Sequence, residues 1–185
     1  MKKFYTGKGD DGTTGILGEG RLDKFDLRME ALGTLDELSA SLGLARSMQD
    51  DPNIDQRIVS IQRKLYELMA EVAASPENAG KFANITADAL NELEEQIDRI
   101  SMYVYVPDGF IIPGESKASA AVAFARTITR RAERRVAELI ARGDLQNQYV
   151  LRYLNRLSSL FFVMELELIT TQAAKKPVMA KEKPE

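Results

Sequence analysis

The sequence predicts an all-α, single-domain five-helix bundle with a four-helix-bundle-like core. Two observations carry this prediction. Five stretches repeat apolar residues every three or four positions, the period of one helix face. Each stretch is bounded by Pro, Gly, Asp or Asn, with no internal repeat, no alternation worth a strand and no linker between domains. At 185 residues, 44% hydrophobic and 29% charged, the chain is long enough to bury one sizeable core.

Taken in order, residues 1–24 read as a glycine-rich leader loop. Four glycines fall within Gly7–Gly15 of Thr6-Gly-Lys-Gly-Asp10-Asp-Gly-Thr-Thr14-Gly. Exposed backbone N–H groups, threonine hydroxyls and Lys8 suit phosphate oxygens. The segment equally fits a flexible leader. It matches neither a Walker A loop nor a dinucleotide-binding fingerprint nor a calcium-binding EF-hand loop.

The helical bundle spans 25–174. The first helix is expected from about Phe25 to Met48, with Ala31, Leu35, Leu38, Leu42 and Ala45 on one face and Asp36 at its edge. Asp50-Asp51-Pro52-Asn53 ends it. The second runs from about Ile54 to Ala74 on Ile58, Ile61, Leu65, Leu68 and Val72, and Ser75-Pro76 closes it. The third covers about Thr86 to Tyr103 on Leu90, Leu93, Ile97 and Ile100. An irregular loop follows, in which prolines and glycines bracket Phe110-Ile111-Ile112. Phe110 there is either presented outward or laid over the core.

The fourth helix, about Glu115 to Arg142, ends at Gly143, a common position for a helix-closing glycine. Its segment Ala125–Arg135 packs five arginines against one glutamate. Ala125, Ile128, Ala132, Val136 and Leu139 make the buried stripe. Arg126, Arg130 and Glu133 lie within roughly 60° of one another on a different face. Guanidinium forks suit carboxylates and phosphates, and the same pattern also fits a solvated face with i,i+4 ion pairs. The fifth helix, about Leu145 to Ala174, carries Val150, Leu154, Leu157, Phe161, Met164 and Leu168, with Asn155 set at the edge of that stripe and needing a partner. Residues 175–185 lack periodicity and are expected to be a disordered tail.

Composition removes whole classes of chemistry. There is no Cys, His or Trp, so disulfides, thiolate zinc sites, cysteine nucleophiles, Ser-His-Asp triads and histidine bases are excluded. A net charge of −3 gives no global field for nucleic acid, so the local arginine cluster points to a discrete anion. No apolar run approaches the ~20 residues of a membrane span, and the N-terminus lacks a signal-peptide centre. The expectation is a cytoplasmic protein with no nucleic-acid or membrane partner.

Three separated blocks together, Thr6–Thr14, Arg126-Thr-Ile-Thr-Arg130-Arg-Ala-Glu133-Arg and Tyr153-Leu-Asn155-Arg-Leu-Ser, resemble the PduO-type ATP:cob(I)alamin adenosyltransferases. Arg28-Met-Glu-Ala-Leu-Gly33-Thr-Leu-Asp36-Glu-Leu, Ile61-Gln62-Arg-Lys-Leu and Phe110-Ile-Ile-Pro113-Gly114 add to the likeness, which spans about residues 4–164. The resemblance implies a homotrimer of five-helix subunits that moves the 5′-deoxyadenosyl group of ATP to cob(I)alamin, forming adenosylcobalamin. It implies that Thr6, Gly7, Lys8, Gly9, Asp10, Thr13, Thr14 and Lys24 wrap ATP. Arg130, Glu133 and Asn155 complete that site from an adjacent subunit, with Glu133 near Mg²⁺. Asp36 and Arg126 pair across the interface, and Phe110 faces the corrinoid. A corrinoid reductase and a B12-dependent enzyme are the implied partners. The chain departs from the family pattern at Ser39, Glu115, Ala123 and Ser159. A non-catalytic regulatory bundle that binds nucleotide or phosphate would use the same arginine face and glycine loop. A helical scaffold would use the arginines for docking.

Overall fold

The protein is seen in a computed structural model that describes residues 3–173 and 176–181. Five helices form: α1 (Leu27–Arg46), α2 (Pro52–Ala73), α3 (Ala87–Ser101), α4 (Lys117–Arg142) and α5 (Gln148–Leu168). Each starts at a side-chain cap of the kind its sequence offers. Asp26, Asp51, Thr86 and Asn147 each accept a bond from a first-turn N–H, and Ser116 and Ser119 cap α4 reciprocally. Pro52 lies inside the first turn of α2 rather than ending the break before it, because a first-turn N–H has no helical partner to lose. At the other end of α4, Gly143 closes the helix at φ 81°.

The packed pairs are α2 on α1, α1 on α4, α4 on α5 and α5 on α3. The central pair α4–α5 therefore touches both flanks. The apolar stripes meet in one core, with Leu35, Leu38, Leu65, Leu139, Leu154, Leu157 and Phe161 fully buried. Buried Arg28 fastens the ends of three elements. Its guanidinium donates to Val72 O at 2.6 Å and Ala74 O at 3.3 Å, carbonyls at the end of α2, and to Asp144 O at 2.8 Å, just after α4. Glu71 accepts from Asn147 Nδ2 at 2.7 Å, which ties α2 to the start of α5.

Three expectations are corrected. The chain does form strands: β1 (Thr13–Gly15) and β2 (Arg21–Asp23) pair antiparallel, Thr14 opposite Leu22. Three-residue strands are too short to show a period, and this pair is held by backbone rather than by an apolar face. Leu17 then docks alongside Ala74, donating to Ala73 O at 2.9 Å. Gly18 is required next, since at φ 142° a Cβ would sit 2.2 Å from Ser75 Oγ.

The second correction concerns the tail. Residues 176–181 are ordered against the Phe110 loop: Ile112 N donates to Val178 O and Ala180 N to Phe110 O, both at 2.8 Å, and Pro177 is buried. Main-chain pairing needs no side-chain period, so composition did not disclose it. Lys175 and residues 182–185 lie outside the described residues. The third correction is the end of α5: the helix widens at Ile169–Ala173 into a π-turn, and Ala174, the expected end, is likewise outside the described residues.

Candidate functional site

The α4–α5 pair runs antiparallel and carries a cavity at each end of its exposed seam. The first, about 460 Å³, is lined by Arg130, Glu133, Arg134, Leu151, Arg152, Asn155 and Arg156, among others. Arg130 and Arg134 are one turn apart on α4, and Arg152 and Arg156 one turn apart on α5, so both helices aim guanidiniums at one space. Asn155 Nδ2 donates to Glu133 Oε1 at 2.8 Å. Arg156 Nη1 donates to Asn155 Oδ1 at 2.8 Å, and its Nε meets Glu94 Oε1 on α3 at 2.8 Å. Three of the expected site residues, Arg130, Glu133 and Asn155, are thus brought together. The sequence left Arg134 and Arg156 without an assigned role and did not single out Arg152. The i,i+4 spacing of Arg152 and Arg156 around Asn155 was the signal that could have found them.

The rest of the arginine cluster serves the solvated-face alternative. Arg131 pairs with Glu37, while Arg135 lies 3.6 Å from Glu30 and 3.8 Å from Glu138. These are half-exposed links from α4 to α1 and within α4, and pairs of that kind add little stability.

The second cavity, also about 460 Å³, is walled by Pro107, Asp108, Gly109, Phe110, Ile111, Arg126 and Phe162. Phe110 is 89% exposed, so it is presented outward and does not cover the core. The Arg126 guanidinium stands over the Phe162 ring at 5.8 Å, yet its Nε is buried without an acceptor among the described residues. One turn beyond Phe162, Glu165 is fully buried with both oxygens unpartnered among the described residues, and burial pushes its carboxyl up to about 7 while Arg126 pulls it the other way. Sequence reading missed Glu165 because it sits in the helical period of the core stripe, where an acid is unexpected.

Asp36 is exposed on α1 and has no ion pair among the described residues, so the structure does not bring it to Arg126 within one chain. The glycine loop is also a separate body. Asp10 N bonds Gly7 O and Gly12 N bonds Gly9 O, both at 3.2 Å, and Lys24 N bonds Gly12 O at 2.9 Å. The Lys24 ammonium lies across Gly9, where a Cβ would come within 3.1 Å of Nζ. Thr6 Oγ1 accepts from Lys8 N at 3.3 Å. Arg21, not singled out from the sequence, organises the turn: it donates to Thr13 Oγ1 at 2.7 Å and to Lys8 O at 2.6 Å. Bonds from the Thr13 backbone and hydroxyl hold the Asp11 carboxyl below its usual range. Of the expected ATP contacts, Thr6, Gly7, Lys8, Gly9, Asp10, Thr13, Thr14 and Lys24 share this one loop, and none of them lines the Arg130 cavity.

The chain is a five-helix bundle whose α4–α5 seam carries one cavity lined by four guanidiniums and another walled by two aromatic rings. The chain belongs to the cobalamin adenosyltransferase family, whose model matches residues 4–168. It is 40% identical over 164 residues to the corrinoid adenosyltransferase of Bacillus subtilis (strain 168), an alignment covering 86% of this chain and 83% of that one. It is 38% identical over 162 residues to the corrinoid adenosyltransferase PduO of Salmonella typhimurium (strain LT2), covering 87% of this chain and 48% of that longer protein. Among solved structures, a variant PduO-type ATP:corrinoid adenosyltransferase from Lactobacillus reuteri complexed with cobalamin and ATP superposes with a TM-score of 0.88 at 31% identity, covering 97% of this chain and 100% of the other.

Proposed function

We propose that the protein transfers the 5′-deoxyadenosyl group of ATP to cob(I)alamin, forming adenosylcobalamin and releasing triphosphate. The observation that supports this best is the pairing of two cavities on one helix pair. One is rich in guanidiniums for a polyphosphate, and the other is walled by Phe110 and Phe162 for a large planar ring.

The reaction asks little covalent chemistry of the protein. Cobalt(I) supplies an electron pair to ribose C5′, the Co–C bond forms, and the C5′–O bond breaks with its pair leaving on triphosphate. No general base is needed, which a chain without His or Cys can accept. What remains for the protein is to align C5′ with cobalt and to stabilise charge gathering on the leaving group. Arg130, Arg134 and Arg152 are placed to do the second, and the backbone amides of the glycine loop with Lys8 and Lys24 are the natural complement.

Because the loop and the arginine cavity do not meet within one chain, the reading includes a homotrimer in which the loop of one subunit closes over the α4–α5 wall of the next. Phe124 and Leu44, 52% and 48% exposed on α4 and α1, are apolar surface suited to such a contact. The unpartnered Arg126 and the unpaired Asp36 would then find each other across that interface and order both sites. Mg²⁺ fits as an ion carried by ATP. No group of three or more potential ligands occurs among the described residues, and Glu133 is the carboxylate that lines the cavity. One carboxylate plus phosphate oxygens is an ordinary magnesium environment. Among the described residues no helix is long and apolar enough to cross a membrane. The same reading places the protein in the cytoplasm, supplied by a corrinoid reductase and feeding a B12-dependent enzyme.

The test is to add ATP to anaerobic protein with cob(I)alamin and follow the visible spectrum. Conversion to the alkylcobalt spectrum with one triphosphate released per cobalt supports the proposal. ATP-dependent thermal stabilisation without any spectral change would instead favour the non-catalytic nucleotide-binding reading.

A further inference from the structure

The hydrogen bonds around Asn155 form a directed chain that runs from outside the polar cavity to its wall. Glu94, on α3, does not line the cavity. It holds Arg156 Nε at 2.8 Å, Arg156 Nη1 holds Asn155 Oδ1 at 2.8 Å, and Asn155 Nδ2 holds Glu133 Oε1 at 2.8 Å. We propose that Glu94 and Arg156 are positioning residues that set the Asn155 amide and, through it, the Glu133 carboxylate. The inference rests on the transferase reading of that cavity.

The chemistry of the groups fixes the direction. A guanidinium has donors and no acceptor, so the amide must turn its oxygen to Arg156. Its NH₂ then has to face Glu133, an acceptor. Rotating the amide by half a turn would set NH₂ against a guanidinium and oxygen against a carboxylate, two repulsive contacts in place of two bonds. The bond from Asn155 is the only one that the Glu133 carboxylate makes among the described residues. One oxygen is therefore held and the other left for whatever enters the cavity.

Arg156 needs its own anchor to act this way. Among the described residues it is the only guanidinium lining the cavity that also pairs with a carboxylate outside it. The pair is 43% and 42% exposed, so its contribution to folding is small and its effect falls on orientation. Arginine is specific here: two nitrogens of one rigid fork reach two acceptors on different helices, a geometry that a lysine point charge does not reproduce.

Two measurements test this. In ligand-free protein, the side-chain amide resonances of Asn155 should shift and broaden in Arg156→Ala and, less, in Glu94→Gln. An unchanged amide signal overturns the proposal. This readout needs neither ATP nor turnover, so it stands apart from the transferase reading, which the wild-type spectral assay decides by itself. In kinetics, Arg156→Ala should lower kcat/KM for ATP about tenfold, and Glu94→Gln about two- to fourfold, with the KM for cob(I)alamin unchanged. Arg156→Lys should restore less than half of the Arg156→Ala loss. The decisive comparison is the Arg156→Ala step repeated in an Asn155→Ala background, scored by both kcat/KM and the ATP dissociation constant. A residue acting through Asn155 loses its effect there, to below about twofold. A persistent tenfold loss would mean that Arg156 grips the nucleotide directly and would overturn its positioning role.

Discussion

The two cavities on the α4–α5 seam have about the same volume, one lined by four arginines and the other walled by two phenylalanines. At the end built from Arg130, Glu133 and Asn155, the Glu133 and Asn155 side chains are joined in a hydrogen-bonded chain anchored on α3. At the end built from Phe110, Arg126 and Phe162, the charged groups are left wanting: among the described residues, Arg126 Nε and both Glu165 oxygens are buried and unpartnered. A finished polar wall can meet its ligand without rearrangement, which is what electrostatic preorganisation requires. An unfinished one expects something from outside the chain, since buried polar groups without partners are costly and rarely left so. The proposed trimer would supply that something to Arg126 through Asp36, while burial favours the protonated form of Glu165.

The sharpest way to break the comparison is at the finished end. Arg130→Ala should reduce kcat by about 10²–10³ at saturating ATP. Arg130 is exposed, and it makes no ion pair among the described residues, so thermal unfolding should move by no more than ~0.5 kcal/mol. Turnover that survives at saturating ATP would remove Arg130 from the site.

At the unfinished end the largest effect should be on stability. Burial raises Glu165 from an ordinary 4.5 to about 7, so the folded protein holds a proton that the unfolded chain gives up. Its contribution is therefore fully present below about pH 4.5, fades as the pH climbs, and is gone above about 7. At about 1.4 kcal/mol per pH unit, ionising the folded carboxyl costs on the order of 3 kcal/mol. Glu165→Gln should therefore gain on the wild type between pH 5 and 8 and level off above. Denaturant unfolding at several pH values reads this directly, and a pH-independent difference would show that Glu165 finds a partner in the assembled protein.

Phe110→Ala probes the same cavity from its rim. An aromatic contact of this size is worth about 0.5–1.5 kcal/mol beyond the area it covers. The rate with cobalamin should fall roughly two- to tenfold, while ATP binding stays at the wild-type value. Equal slowing with a corrinoid that lacks the lower base would exclude a role for Phe110 in displacing that ligand.

How much of this the sequence disclosed follows the same division. The bundle was legible because helices write their burial into a period, and Leu35, Leu65, Leu139 and Phe161 are where that period puts them. Arg130, Glu133 and Asn155 were legible for the same reason, being stationed on regular helices. Three kinds of feature were not legible. The hairpin of β1 and β2 is written in backbone bonds between Thr13–Gly15 and Arg21–Asp23. Arg28 and Glu165 are ionisable side chains that are buried, against the grain of any hydropathy pattern. The proposed pairing of Asp36 with Arg126, and of the glycine loop with the arginine cavity, came from the family resemblance alone, and neither is made within one chain among the described residues.

The smallest effect belongs to the tail, and it tests whether the unfinished cavity is shaped from within the chain as well as from outside. Ala180 is exposed, and its N–H donates to Phe110 O at 2.8 Å. Ala180→Pro removes that donor and nothing else that packs. The net worth of one such bond is about 1 kcal/mol, felt locally. The Phe110 loop should then open more often, seen as faster amide exchange at Ile112, whose own N–H is held by Val178 O. The KM for corrinoid should rise less than about threefold with ATP parameters unmoved. Exchange at Ile112 that does not change would mean the loop is set by Pro107 and Pro113 alone, and that the tail rests on it without shaping it.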